Sequence, residues 1–188
     1  MATLDAPGYS IGGLSVGEAK DEMWAMTAIV TAELPVDRPR YLMGVGSPED
    51  LVNAIARGVD MFDCVLPTRL GRNGSLFTDD GRAGIRNARF RDERGPIDPD
   101  CDCVACTRFS MAYMHHLFHN DELLGYRLAS IHNIRYLVRL TERIRAAIAA
   151  GTFNDFASDF LARYQPASEE VRAEQKAKWL KQSGFEQA

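Results

Sequence analysis

Along the first seventy residues, short apolar runs alternate with stretches whose apolar positions fall at helical spacing. "GYSIGG" sets a short β-prone run against a glycine-rich turn, and the stretch that follows carries Met23, Met26, Ala28 and Ile29 along one expected helix face. The theme repeats in "RPRYLMGVGSPEDLVNAIARGVDMFDCVLP": a strand through Met43, a turn at Gly44 and Gly46, then Ser47 as N-cap with Pro48 at the first helical position. Glu49 and Asp50 suit the positive end of that helix, Leu51, Ile55 and Ala56 form its expected buried stripe, and Gly58 ends it. A third strand, "VDMFDCVLP", follows at once and is expected to stop at Pro67. Such brief connections between strand, helix and strand predict a parallel α/β sheet with helices outside it.

After Pro67 the pattern changes. Asn-Gly and Asp-Gly steps in "RNGSLFTDDGRAGIRNARF" flank short β-prone runs and predict hairpins or irregular strands. From about Thr107 the chain reads as helical. Its longest stretch, "DELLGYRLASIHNIRYLVRLTERIRAAIAAG", places Leu124, Leu128, Ile131, Ile134, Leu137 and Leu140 on one face and ends at Gly151. "NDFASDFLARY" adds a capped short helix. Beyond Pro166 the chain is polar, with only Val171, Trp179, Leu180 and Phe185 to bury, and is expected to be a loosely attached helix or frayed tail.

Composition narrows the class. With 46% hydrophobic and 26% charged residues over 188 positions, the chain has the make-up of one ordinary globular domain. No apolar run approaches the roughly 18–20 residues of a membrane span, and "MATLDAPGYS" has no basic region leading into an apolar core, so a soluble, cytoplasmic protein without a membrane partner is expected. A formal net charge of −4 argues against coating nucleic acid by bulk charge. Yet Arg69, Arg72, Arg82, Arg86, Arg89, Arg91 and Arg94 stand against Asp79, Asp80, Asp92 and Glu93, with no lysine among them. A planar guanidinium suits phosphate oxygens, so this segment is either a specific RNA or DNA contact or a solvated loop with internal salt bridges.

Three of the four cysteines fall in "CDCVAC", where Cys101, Cys103 and Cys106 form C-x-C-x2-C. Close neighbours rarely reach disulfide geometry, and three thiolates on one tight loop can share a single ion, so metal binding outweighs burial as small hydrophobes. Zinc needs a fourth ligand, and spacing leaves His115, His116, His119 and His132 all open. Asp63 is the second residue of chemical interest: a carboxylate in an apolar strand, near its carboxyl end, where parallel sheets place their sites and where both glycine turns would converge. Capping a loop or pairing with an arginine is the structural alternative. Neither turn matches a dinucleotide fingerprint or a P-loop, and Gly12 and Gly13 suit backbone amides lying close to a flat ligand or a neighbouring strand.

The ordered series "GGLSVGE", "YLMGVG", "DMFDCVLPTRLGRNG", "IRNARF", "CDCVACTRFSMAYMHHL" and "HNIRYL" resembles the carboxyl-terminal half of bacterial tRNA-guanine transglycosylases, from about Tyr9 to Tyr164. The resemblance implies the carboxyl-terminal part of a (β/α)8 TIM barrel with an inserted zinc-binding subdomain. Residues 1–69 would supply barrel units, 70–120 the hairpin and zinc insertion, 121–164 the carboxyl-terminal helices, and 165–188 a polar tail. One structural zinc would be held by Cys101, Cys103, Cys106 and His132. Asp63 matches the nucleophile that attacks C1′ of guanosine 34 in the tRNA anticodon loop, expels guanine and is displaced in turn by the incoming base, a double displacement. Gly13 and Leu14 match backbone positions that recognise the base, Glu18 the acid beneath that turn, and Met43 an apolar wall of the pocket. Thr68, Arg69 and Arg72 fall in the segment that grips the anticodon loop. Val16 resembles bacterial members and points to preQ1 over queuine, with guanine as the base released. The complete enzymes are expected to be homodimers. Nothing here resembles their amino-terminal half, with its general-base aspartate, so the rival reading is a zinc-stabilised RNA-binding or interaction module with no catalysis of its own.

Overall fold

The computed structural model describes residues 5–166. Strands β1 (Tyr9–Ile11), β2 (Arg40–Leu42) and β3 (Met61–Phe62) form a parallel sheet in that order, with Ile11 opposite Leu42 and Leu42 opposite Phe62. Helix α1 (Lys20–Glu33) joins the first two and α2 (Pro48–Ile55) the next two. Ile11, Met23, Trp24, Leu42, Val45, Ala54 and Val59 make the core beneath them.

The buried face of α1 is not the expected one. Met23, Trp24, Thr27 and Thr31 face inward, while Met26 and Ile29 are 43% and 57% exposed. Two threonines can occupy the core because their hydroxyls bond back into the helix, Thr27 Oγ1 to Met23 O at 2.7 Å and Thr31 Oγ1 to Thr27 O at 3.0 Å. In α2 the cap is as expected: Ser47 Oγ accepts from the Asp50 amide at 3.3 Å, with Pro48 at the helix start. Its buried residues are Pro48, Asp50, Leu51, Val52 and Ala54, with Ile55 only partly covered and Ala56 exposed. Gly58, at φ 84°, supplies the left-handed turn that returns the chain to β3.

β3 is shorter than expected. It ends at Phe62, and Pro67, rather than stopping a strand, lies in the first turn of α3 (Leu66–Arg72), where its missing N–H costs no helix bond. The expected hairpin is β4 (Ser75–Thr78) against β5 (Gly81–Gly84), antiparallel. A 3-10 turn at Ala88–Phe90, α4 (Val104–Arg108) and α5 (Met111–His119) lead into α6 (Leu123–Ala149), and α7 (Phe153–Arg163) closes the described chain. Thr152 sits at the start of α7 but makes no side-chain cap, and the expected tail beyond Pro166 lies outside the described residues.

Helix α6 organises this second part. Leu128, His132, Tyr136, Leu140 and Ile144, four residues apart, run down its buried side beside Ala129 and Asn133, whereas the expected Leu124 and Ile134 are 40% and 46% exposed. Helix α3 lies hard against it. A Cβ on Gly71 would sit 2.8 Å from the Ser130 nitrogen and 2.9 Å from its Cα, so only glycine allows this approach. Among the described residues no helix is long and apolar enough to cross a membrane.

Candidate active site and metal centre

Asp63 emerges one residue beyond β3, exposed rather than enclosed in the strand. It is held from β2 and its turn: Tyr41 Oη donates to Oδ1 at 2.6 Å and the Gly44 amide donates to the same oxygen at 3.0 Å. The hydrogen bond from Tyr41, followed by that from Gly44, keeps the carboxyl below its ordinary range, and the Tyr41 phenol is raised in return. A cleft of about 330 Å³ opens here, lined among others by Ser15, Gly44, Ser47, Asp50, Asp63 and Arg69, so both glycine turns and α3 do meet at the carboxylate. Gly46 makes this possible. Any Cβ there would lie 2.7 Å from that of Cys64, the half-buried residue after Asp63.

The first turn is tied by one side chain. The Glu18 carboxylate accepts the amides of Ser15, Val16 at 2.9 Å and Gly17 at 3.1 Å, which lowers its pKa, the Ser15 bond most. Gly13 takes φ 77° with nothing within 4 Å of a would-be Cβ, so its glycine serves backbone conformation rather than space. Leu14 packs on the sheet core, and Met43 is 46% exposed, with its sulfur 3.7 Å from where a Gly12 Cβ would stand. Lys20 pairs with Asp50 at 2.5 Å, joining the start of α1 to α2.

Thr68, Arg69 and Arg72 ride on α3 rather than on a loop. Thr68 Oγ1 bonds Val65 O at 3.1 Å, while Arg69 and Arg72 are exposed and form no ion pair among the described residues. The internal salt bridges expected of a solvated loop are not what forms. Asp79 is taken by Arg143 at 3.0 Å and Arg163 at 3.2 Å, and Arg86 by Asp121 at 2.6 Å, all from helices or turns outside the arginine-rich segment.

The metal question has a geometric answer. Cys101, Cys103, Cys106 and His132 are all buried, with their ligand atoms within 4.8 Å of one another. His132 Nε2 bonds Phe77 O at 2.8 Å, which leaves Nδ1 facing Cys106 Sγ at 3.3 Å and Cys103 Sγ at 3.8 Å. Tetrahedral zinc at about 2.3 Å from sulfur requires ligand separations of roughly 3.5–3.8 Å, so the donor set fits a single structural zinc ion. The other candidates are committed elsewhere: His115 Nδ1 bonds Ile85 O at 2.8 Å and stacks on His119, and His116 contacts Asn120. Hydrogen bonding from Cys106 depresses the Cys103 thiol to about 3, while against the opposing effect of burial Cys101 and Cys103 raise His132 to about 9. Bidentate Arg135–Asp102 contacts at 2.6 and 3.0 Å and Arg139–Asp98 at 2.7 Å brace the cysteine loop on α6.

Two residues escaped the sequence reading. Tyr41 looked like an ordinary strand residue. Asn133 is fully buried, its Oδ1 accepting from Phe77 N at 2.9 Å and its Nδ2 donating to Pro67 O at 3.0 Å and Ser75 O at 2.9 Å. The signal for it was an amide beside His132 on an apolar helix, where burial requires full satisfaction.

Fold and site together define an α/β protein with a strand-end carboxylate in a glycine-lined cleft and a separate Cys3His metal centre braced on a long helix. The model of the family described as queuine tRNA-ribosyltransferase matches residues 1–166, and the chain belongs to that family. It is 54% identical over 180 residues to a queuine tRNA-ribosyltransferase of Dehalococcoides mccartyi, covering 96% of this chain and 46% of that protein. Those of Herpetosiphon aurantiacus and Symbiobacterium thermophilum are 55% and 56% identical over 177 residues, covering 94% of this chain and 45% and 44% of theirs. The chain thus spans about half the length of the curated relatives it matches.

Proposed function

We propose that this chain is the carboxyl-terminal half of the catalytic unit of a tRNA-guanine transglycosylase, with Asp63 as its nucleophile. The observation that carries the reading is the setting of Asp63: an exposed, ionised carboxylate at the carboxyl end of a parallel sheet, fixed by Tyr41 and Gly44 and facing a cleft beneath two glycine turns. Three adjacent parallel strands with outer helices are consistent with a sector of a (β/α)8 barrel, whose active sites lie at that end. In this reading Asp63 attacks C1′ of guanosine 34 in a tRNA with a G-U-N anticodon, guanine leaves, and preQ1 displaces the aspartate. Gly13, Leu14 and Met43 border the base, Glu18 shapes the turn above it, and Thr68, Arg69 and Arg72 on α3 grip the anticodon loop. Zinc, when bound to Cys101, Cys103, Cys106 and His132, acts as a cross-link between the cysteine loop and α6 and supplies no chemistry to the exchange. The complete enzyme is proposed to act as a homodimer in the cytoplasm.

The test is incorporation of labelled guanine or preQ1 into such a tRNA. The chain alone should be inert, because the groups that would hold base and ribose in line with Asp63 belong to the amino-terminal half. That half, fused or added in trans, should restore exchange, and Asp63→Ala should abolish it. Exchange that survives Asp63→Ala overturns the assignment; binding of tRNA without exchange in the completed protein would favour a zinc-stabilised RNA-binding module.

A further inference from the structure

Both donors at Asp63 land on one oxygen, Oδ1: the Tyr41 hydroxyl at 2.6 Å and the Gly44 amide at 3.0 Å. No guanidinium or ammonium forms an ion pair with Asp63 among the described residues, so neutral donors alone manage its charge. We propose that the two carboxylate oxygens have separate duties, Oδ2 forming the bond to C1′ while Tyr41 holds Oδ1 as the oxygen that receives the charge when that bond breaks. The inference rests on Asp63 being the nucleophile and adds Tyr41 as a positioning residue.

The electron count makes the asymmetry matter. In the first step a lone pair on Oδ2 forms the Oδ2–C1′ bond, the C1′–N9 bond breaks, and its pair leaves with guanine, which takes a proton from an acid of the amino-terminal half. Oδ1 is then an ester carbonyl oxygen, a weaker acceptor than a carboxylate. In the second step the incoming base, having lost a proton to a base of that half, bonds C1′ through nitrogen. The C1′–Oδ2 bond breaks and its pair returns to the carboxyl group, where charge flows onto Oδ1 beneath two donors already in place. Hydrogen bonds to an ion are stronger than to a neutral ester, so Tyr41 favours the free carboxylate over the covalent adduct, speeding breakdown and restraining formation.

Tyr41→Phe keeps the ring and removes the donor. In the enzyme completed with its amino-terminal half, we expect the steady-state fraction of covalent RNA–protein adduct, read on denaturing gels with an anticodon stem-loop, to rise about tenfold relative to free enzyme while turnover falls. The acid limb of adduct formation should move to higher pH, because losing a bond that lowers the Asp63 pKa raises it. Other titratable or charged groups lining the clefts at Asp63 are Asp50, Asp60, Cys64, Arg69 and Arg145, all left untouched by the substitution. Fluorotyrosine at position 41, a stronger donor in the same space, should shift adduct and acid limb the opposite way, which keeps the test decisive if Tyr41→Phe fails to fold. Adduct level and acid limb both unchanged, with Asp63→Ala inert, would reduce Tyr41 to packing and leave the nucleophile in place. Adduct formed by Asp63→Ala would instead overturn the nucleophile itself.

Discussion

Replacing Asn133 by alanine should loosen the junction between the metal centre and α3. Phe77 turns both its N–H and its C=O away from β5 and toward α6, where Asn133 takes the first and His132 the second. The same amide also ties Pro67 at the start of α3 and Ser75 of β4. Three net hydrogen bonds at about 1 kcal/mol each, with roughly 1–3 kcal/mol more for a buried N–H left without an acceptor, give a loss of about 4–6 kcal/mol. A domain holds on the order of 5–15 kcal/mol in all, so this is a large share. Amide exchange of the zinc-loaded protein is the assay, because it reports local opening. At about 1.4 kcal/mol per factor of ten, the Phe77 amide should exchange about three to four powers of ten faster, while Val52 in α2 keeps its rate. Asn133→Asp separates the contributions: it retains an acceptor for Phe77 but points a carboxylate at two carbonyls, so Phe77 should stay better protected than α3. An acceleration below about fivefold in the alanine variant would refute the reasoning and mean that water or repacking satisfies these groups.

Gly71→Ala should destabilise despite its better helix propensity, since backbone atoms of Ser130 cannot give way; overpacking of about 1–3 kcal/mol exceeds a propensity gain of about 1, and an unchanged melting temperature would contradict this. Zinc binding should expel protons, because the neighbouring cysteines favour the protonated His132 ring, raising it to about 9, whereas a ligand must be neutral. Affinity measured by chelator competition should therefore weaken steadily from pH 8 to 6, and Cys103→Ala should lose the bound equivalent; pH-independent affinity would exclude this ligand set. Arg69→Ala with Arg72→Ala, in the completed enzyme, should weaken tRNA binding and flatten its salt dependence, and an unchanged slope would remove α3 from the RNA interface.

Local chemistry was legible in the sequence where one residue type answers one geometric demand. Ser47 with Pro48 announced a helix start, the glycines announced the turns, and the thiol spacing announced a metal. Legibility failed where polar residues fill core positions. Thr27 and Thr31 hid the inner face of α1 because their hydroxyls are satisfied within the helix, and His132 with Asn133 interrupted the apolar row of α6 because their partners lie more than fifty residues away. Spacing alone left the fourth ligand open for the same reason: which imidazole turns toward the cysteines depends on where Ile85 and Phe77 present their carbonyls. Pro67 was ambiguous in another way, since the ring that ends a strand also opens a helix.

One turn of α6 carries a metal ligand at His132 and, at the next position, the amide that holds the start of α3. Zinc itself is spectroscopically silent, but cobalt accepts the same ligands and absorbs visible light according to their arrangement. A cobalt-loaded protein would therefore carry an optical gauge one residue away from the contact that steadies the start of α3. Its colour could be followed while a candidate ligand is added and removed, with no dye attached and no surface residue altered.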